Sequence, residues 1–170
     1  MTGGGAEPPE ALPADSKLPR VVVVASLGNE YRRDDGAGQV VAAGAVERIA
    51  GVRHVGPQVD PLDLLGRWDG ADLAIVIDAT CARGTPGAVR VVDLKTGGES
   101  QGATSTHGIS LSGVLRLAQA VGQAPARVIV VGIEGADFGK GIGLSPAVEA
   151  AVPVAVRKVV ELIEEARECA

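Results

Sequence analysis

A chain of 170 residues with 46% apolar side chains can bury the core of one domain, and with aromatics at only 2% that core must be Val, Ala, Leu and Ile. A net charge of -5 argues against a nucleic-acid surface, which normally shows a basic face. No apolar run reaches the roughly 18 residues of a membrane span, so no membrane partner is expected.

Residues 1–19 are rich in Gly, Pro, Ala and Glu, and carry no basic start followed by an apolar stretch, so no signal peptide is read there. Such a segment buries too little surface to offset its ordering entropy, so it reads as a flexible tail before a single domain over 20–170. Cys81 and Cys169 have no metal or redox spacing, and a reducing cytoplasm is the expected setting.

Arg20 to Ala25 is a β-branched run without polar alternation, the pattern of a strand covered on both faces. It leads into Gly28-Asn29-Glu30-Tyr31-Arg32-Arg33-Asp34-Asp35-Gly36-Ala37-Gly38, a turn followed by two adjacent acids and a glycine pair. Val40, Val41, Ala45 and Ile49 then recur at helical spacing, and Val52 to Val59 is a weaker strand. Asp60 and Pro61 read as the cap and first position of a short helix. Leu73 to Ile77 is another apolar strand, ending in Asp78-Ala79-Thr80.

After the turn Gly84-Thr85-Pro86-Gly87, Ala88 to Leu94 reads as a further strand, antiparallel or at an edge because its link is short. Lys95 to Thr106 is a Gly/Ser/Thr-rich loop, long enough to suggest a function such as closing over a bound peptide. His107 opens a helical stretch with Ile109, Val114, Leu117 and Val121 inward. Arg127 to Val131 is the last strand, and Gly132 to Phe138 leaves it. Ser145 reads as the cap of the closing helix, with Pro146 at its first position and Val152, Val156, Val159 and Ile163 inward. Pro153 is expected to kink that helix or split off its first turns. Alternating helices and Val-rich strands imply an α/β fold, a three-layer arrangement with a mostly parallel sheet between helices.

Ligands of such sheets gather beyond the carboxyl ends of the strands. That edge receives Asn29, Asp34 and Asp35, then Asp78, then Glu134 and Asp137, with His107 joining if its helix starts there. Carboxylates with one imidazole suit a borderline divalent metal, or could hold a water as general base. Each residue also has a plain role. Asp35 could cap the following helix, Asp34 could pair with Arg32 or Arg33 at the surface, Asp78 could fold into a turn with Thr80, and His107 could bond to backbone. Ser105, Thr106 and Ser110 are alternative caps, His54 reads as an ordinary surface or strand residue, and no neighbouring pattern supports Cys81 as a nucleophile.

The ordered set is more specific than any member. Leu27-Gly28-Asn29 with Asp34-Asp35-Gly36-Ala37-Gly38, then Ile77-Asp78-Ala79, Ser105-Thr106-His107-Gly108, Gly132-Ile133-Glu134 and Gly143-Leu144-Ser145-Pro146 resembles the hydrogenase maturation proteases. The resemblance implies a phosphorylase/hydrolase-like three-layer fold. It also implies a protease of aspartyl type that removes a C-terminal extension from the large-subunit precursor of a [NiFe] hydrogenase. The metal-contacting acids of that family fall on Asp35 and Asp78, the expected catalytic pair, and its histidine falls on His107. All three would contact nickel brought by the precursor. Some relatives carry Glu at the position of Asp35, so the shorter side chain calls for a closer metal or a backbone shift. The segment at Asp60 is shorter than a Gly-rich stretch that carries a further acid in some relatives.

Other readings fit less of the chain. A peptidyl-tRNA hydrolase also opens with a strand and a Leu-Gly-Asn turn, but needs a histidine where Asp34-Asp35 stand and a basic surface. A nucleotide cradle at Gly28–Gly38 would set two carboxylates against phosphate. A chaperone that binds the nickel site without cleaving shares every residue named above.

Overall fold

The first strand, β1 (Val22–Leu27), is buried along its whole length, as its unbroken apolar run requires. The computed structural model describes residues 21–94 and 110–168; the expected tail over 1–19, the loop Lys95–Thr106, His107, Ile109 and Cys169 lie outside them. After β1 come helix α1 (Ala37–Val46), strands β2 (Arg53–Gln58), β3 (Leu73–Thr80) and β4 (Val89–Leu94), helix α2 (Leu111–Ala120), strand β5 (Arg127–Glu134) and helix α3 (Pro146–Glu168). Short 3-10 turns occupy Arg33–Gly36 and Pro61–Leu64.

The sheet order is β2-β1-β3-β5-β4. β1 pairs in parallel with β2 and β3, and β3 in parallel with β5, while β4 lies antiparallel on β5 at the edge. The short link after β3 explains this, since a parallel partner needs a long crossover. The chain moves from β1 outward to β2, then returns to β1's other side for β3. β1 and β3 therefore flank the point where the strand order reverses.

Alternate residues of the central strands feed two cores. Val22, Val24, Leu73, Ile75 and Ile77 face α1 and α3. Val23, Ala25, Leu27, Ala74 and Val76 face Leu64, Trp68 and α2. The buried stripe of α2 is Leu111, Val114, Leu115 and Ala118, whereas Leu117 and Val121 are exposed. The sequence reading had rotated this face because it started the helix at His107; the helix begins only after Ser110, whose hydroxyl caps it by accepting from Gly113 N at 3.2 Å.

Two other expectations are corrected. The last helix runs unbroken for 23 residues through Pro153. Pro153 and Glu149 are both exposed, so water can serve the carbonyl that the missing N–H leaves free. β3 and β5 also run three residues beyond their apolar runs, so Asp78 and Glu134 lie inside strands rather than after them. Among the described residues no helix is long and apolar enough to cross a membrane.

Candidate active site

The close approach of α1 to the sheet places the first acids. A Cβ on Gly38 would lie 2.6 Å from the Ile77 carbonyl oxygen and 2.9 Å from that of Leu27, so only glycine lets the first turn of α1 sit over the ends of β1 and β3. Gly28, at φ +114°, does the same for the turn before it, since a Cβ there would lie 1.9 Å from the Asp35 carbonyl oxygen. Asn29 closes the turn: its Oδ1 accepts from Tyr31 N at 3.0 Å, and its own N–H donates to Asp35 Oδ2 at 3.1 Å.

Asp34 and Asp35 are adjacent but serve different ends. Asp34 is fully buried. Its Oδ2 accepts from Ala136 N at 2.8 Å, Asp137 N at 2.9 Å and the Ser145 hydroxyl at 2.8 Å, and its Oδ1 accepts from Ser145 N at 2.6 Å. Burial alone would push this carboxyl up; the three backbone donors and the hydroxyl overcome that and hold it below the usual carboxylate range. The expected surface pairing with Arg32 or Arg33 is therefore not made. Arg33 instead pairs with Asp137 at 3.3 Å, both half exposed, and such a pair contributes little. Ser145 precedes the closing helix as expected, with its carbonyl accepting from Glu149 N, but its hydroxyl is spent on Asp34.

Asp78 is the electrostatically unusual group. It follows Val76 by two positions, so strand alternation puts it on the face that carries α2. Its carboxyl is pushed up to about 7, first by burial and then by the negative charge of Asp35, against a smaller opposing effect of the Ala79 N–H. The charge of Asp35 thus reaches Asp78. A carboxyl titrating near neutrality beside a second acid can hold a proton for exchange, or can surrender it to a divalent cation.

The third expected member, His107, lies outside the described residues, and among those described no group of three His, Cys, Asp or Glu side chains could hold a metal ion. The helix that follows His107 starts on the relevant side. α2 packs on Asp78's face, and six residues after it ends the chain enters β5 at the opposite edge, where Ala126 N donates to Ala71 O at 3.0 Å. Its ten residues span about 15 Å, so its N-terminus points toward the carboxyl edge.

The remaining acids serve the frame. Glu134 is buried and accepts from Thr80 Oγ1 at 3.1 Å and Gly84 N at 3.0 Å, fixing the turn that leaves β3. Asp60 caps its 3-10 turn by accepting from Leu62 N at 2.9 Å. Asp137 accepts from Gly139 N at 2.8 Å and pairs with Arg33. His54 is exposed on β2, and Cys81 is an exposed free thiol.

A family model described as hydrogenase maturation protease (HycI) matches residues 59–162, well over half of the chain. The chain belongs to the hydrogenase maturation protease family. Asp78 and His107 fall inside the matched span, whereas Asp35 precedes it. The fold agrees with solved structures over a wider range. The hydrogenase maturating endopeptidase HybD from E. coli is 24% identical, with 86% of this chain and 93% of that one covered at a TM-score of 0.70. The [NiFe] hydrogenase maturation protease HybD from Thermococcus kodakarensis is 27% identical, with 84% and 99% covered at 0.66. A HycI protease from Thermococcus kodakarensis KOD1 is 23% identical, with 86% and 94% covered at 0.68. No curated protein matches the chain.

One feature of the site was missed from the sequence, the clasp between Asp34 and Ser145. Its partners lie 111 positions apart. The only local signal, Ser145 before Pro146, reads equally well as an ordinary helix cap.

Proposed function

We propose that this protein is the endopeptidase that removes the C-terminal extension of a nickel-loaded [NiFe] hydrogenase large-subunit precursor. Family membership supports the reaction class. The observation that carries the site is the Asp35–Asp78 pair at the reversal point of the sheet, with Asp78 held near neutrality by burial and by its neighbour.

In this reading the precursor is the partner and its nickel is part of the substrate. Asp35 and Asp78, with His107, supply two carboxylates and an imidazole, a mixed O/N set suited to a borderline divalent ion. A cation docking there offsets the repulsion between the acids and releases the Asp78 proton. Holding the metal centre fixes the peptide that leads away from it, which turns water attack on one carbonyl into an oriented reaction. The nickel itself acts as a recognition element and as a Lewis acid for that carbonyl. Water then adds to the carbonyl carbon, the C–N bond breaks, and the amine leaves with a proton.

The test is processing of matched nickel-loaded and nickel-free precursors, with the new C-terminus read by mass spectrometry. Only the loaded form should be cut. Equal cutting of both forms would remove nickel recognition from the site. Tight binding of the loaded precursor without cleavage would favour the nickel-site chaperone.

A further inference from the structure

We infer that Asp34 is the positioning residue of this site: its buried clasp on Ala136, Asp137 and Ser145 holds the first loop so that Asp35 stays at its station. The clasp joins two loops that leave different strands. Asp34 N also donates to Asp137 O at 3.0 Å, Arg33 N to Gly141 O at 2.9 Å, and Gly141 N to Tyr31 O at 2.9 Å. Residues 31–34 and 136–145 are thereby zipped together, with the fully buried carboxylate at the centre.

The first loop needs such a hold. Arg33 sits at φ +51°, a left-handed conformation that a side-chain-bearing residue adopts only when its surroundings impose it. Asp35 follows in the same 3-10 turn, where its N–H bonds to Arg32 O at 3.2 Å. Its carboxylate is tied to the chain by Asn29 N. If the clasp opens, Arg33 is free to leave its imposed conformation, and the turn that carries Asp35 unwinds with it. Asp34 touches none of the reacting groups; it acts through its neighbour.

An isosteric amide cannot replace it. Oδ1 faces one N–H donor, and Oδ2 faces two N–H donors and a hydroxyl. Either orientation of Asn therefore points an NH2 group at an N–H. Ser145→Ala is the milder lesion, removing one donor of four.

This inference rests on the proposed reading for its activity arm, but has an arm that needs neither nickel nor precursor. The amide of Asn29 reports the Asp35 carboxylate. In Asp34→Asn its NMR signal should move upfield and its protection from hydrogen exchange should fall about tenfold or more, the scale of a lost charge-assisted bond. Ser145→Ala should fall between that variant and the wild type, and Ser145→Thr, which keeps the hydroxyl, should restore the signal. Ile163→Val, a core change in α3, is the control for general destabilisation and should leave the Asn29 amide in place. In the processing assay Asp34→Asn should lower kcat at least tenfold while Ile163→Val keeps it. If Asp34→Asn does not fold, the two Ser145 variants decide. An Asn29 amide unchanged in Asp34→Asn or Ser145→Ala, while Ala136 and Asp137 lose protection, would overturn the inference. Failure of wild-type processing with the Asn29 response intact would instead count against the proposed function alone.

Discussion

Replacing Asp78 by Asn should stabilise the folded protein, and increasingly so as the pH rises. The Asp78 carboxyl titrates at about 7 in the folded chain against an ordinary value of 3.8. The folded state thus keeps this proton where the unfolded state has lost it. The stability associated with the group is fully present below pH 3.8 and declines as pH rises until the folded carboxyl has ionised near 7. At roughly 1.36 kcal/mol per pH unit, the loss above pH 7 comes to about 4 kcal/mol. About half of it, some 2 kcal/mol, falls between pH 5.5 and 8. Asn keeps an oxygen for the Ala79 N–H but cannot ionise. The stability gap between Asp78→Asn and the wild type should therefore start near zero at pH 4 and widen to about 4 kcal/mol above pH 7.

Urea unfolding can follow this through Trp68, which is fully buried and is the only tryptophan in the chain. With a slope near 2 kcal/mol per molar urea, the difference in midpoints should grow by about 1 M from pH 5.5 to pH 8. A companion Asp35→Asn variant removes the charge but leaves the burial, so Asp78's influence on the pH profile should shrink without vanishing. A midpoint difference that stays flat across this range would refute the claim that Asp78 is a partly buried acid crowded by Asp35.

Three further outcomes follow from the same geometry. Asp78→Asn and His107→Ala should each abolish precursor processing while leaving cooperative unfolding intact; retained activity in either would remove that residue from the site. Crystals soaked with a divalent transition metal should show an anomalous peak between Asp35, Asp78 and His107, and a peak elsewhere with none there would break up the constellation. Gly38→Ala should destabilise the fold by about 1–3 kcal/mol in urea titrations, because its methyl would meet two strand carbonyls; a neutral substitution would show that the contact of α1 with the sheet is slack.

The fold was largely legible because the strands announce themselves. Runs such as Leu73–Ile77 have no polar interruption, and the turn at Gly84–Gly87 is too short for a parallel crossover, so even the antiparallel edge could be read. Strand ends were harder. Asp78 and Glu134 look like loop residues by composition, yet the β3–β5 register continues to Thr80 and Glu134. The face of α2 failed because its spacing was counted from His107, ahead of the helix start at Leu111: Ala118 is buried while Leu117 is exposed. The site was legible only as an ordered set. The charge of Asp35 does act on Asp78, but nothing local shows which acid of the Asp34-Asp35 pair becomes the buried clasp.

Burial by itself does not decide what a carboxyl does here. Asp34 is the more completely buried acid, yet it stays ionised, because four donors converge on its two oxygens and replace the water it has lost. At Asp78 burial and the charge of Asp35 outweigh the Ala79 N–H, and its carboxyl rises to about 7. The contrast separates frame from site. A carboxylate whose oxygens are filled by donors gains less from a positive charge than an acid held up by burial and by a neighbouring acid does. By concentrating donors on Asp34, the fold makes one residue of an adjacent pair a clasp, while the charge of its neighbour Asp35 acts on Asp78.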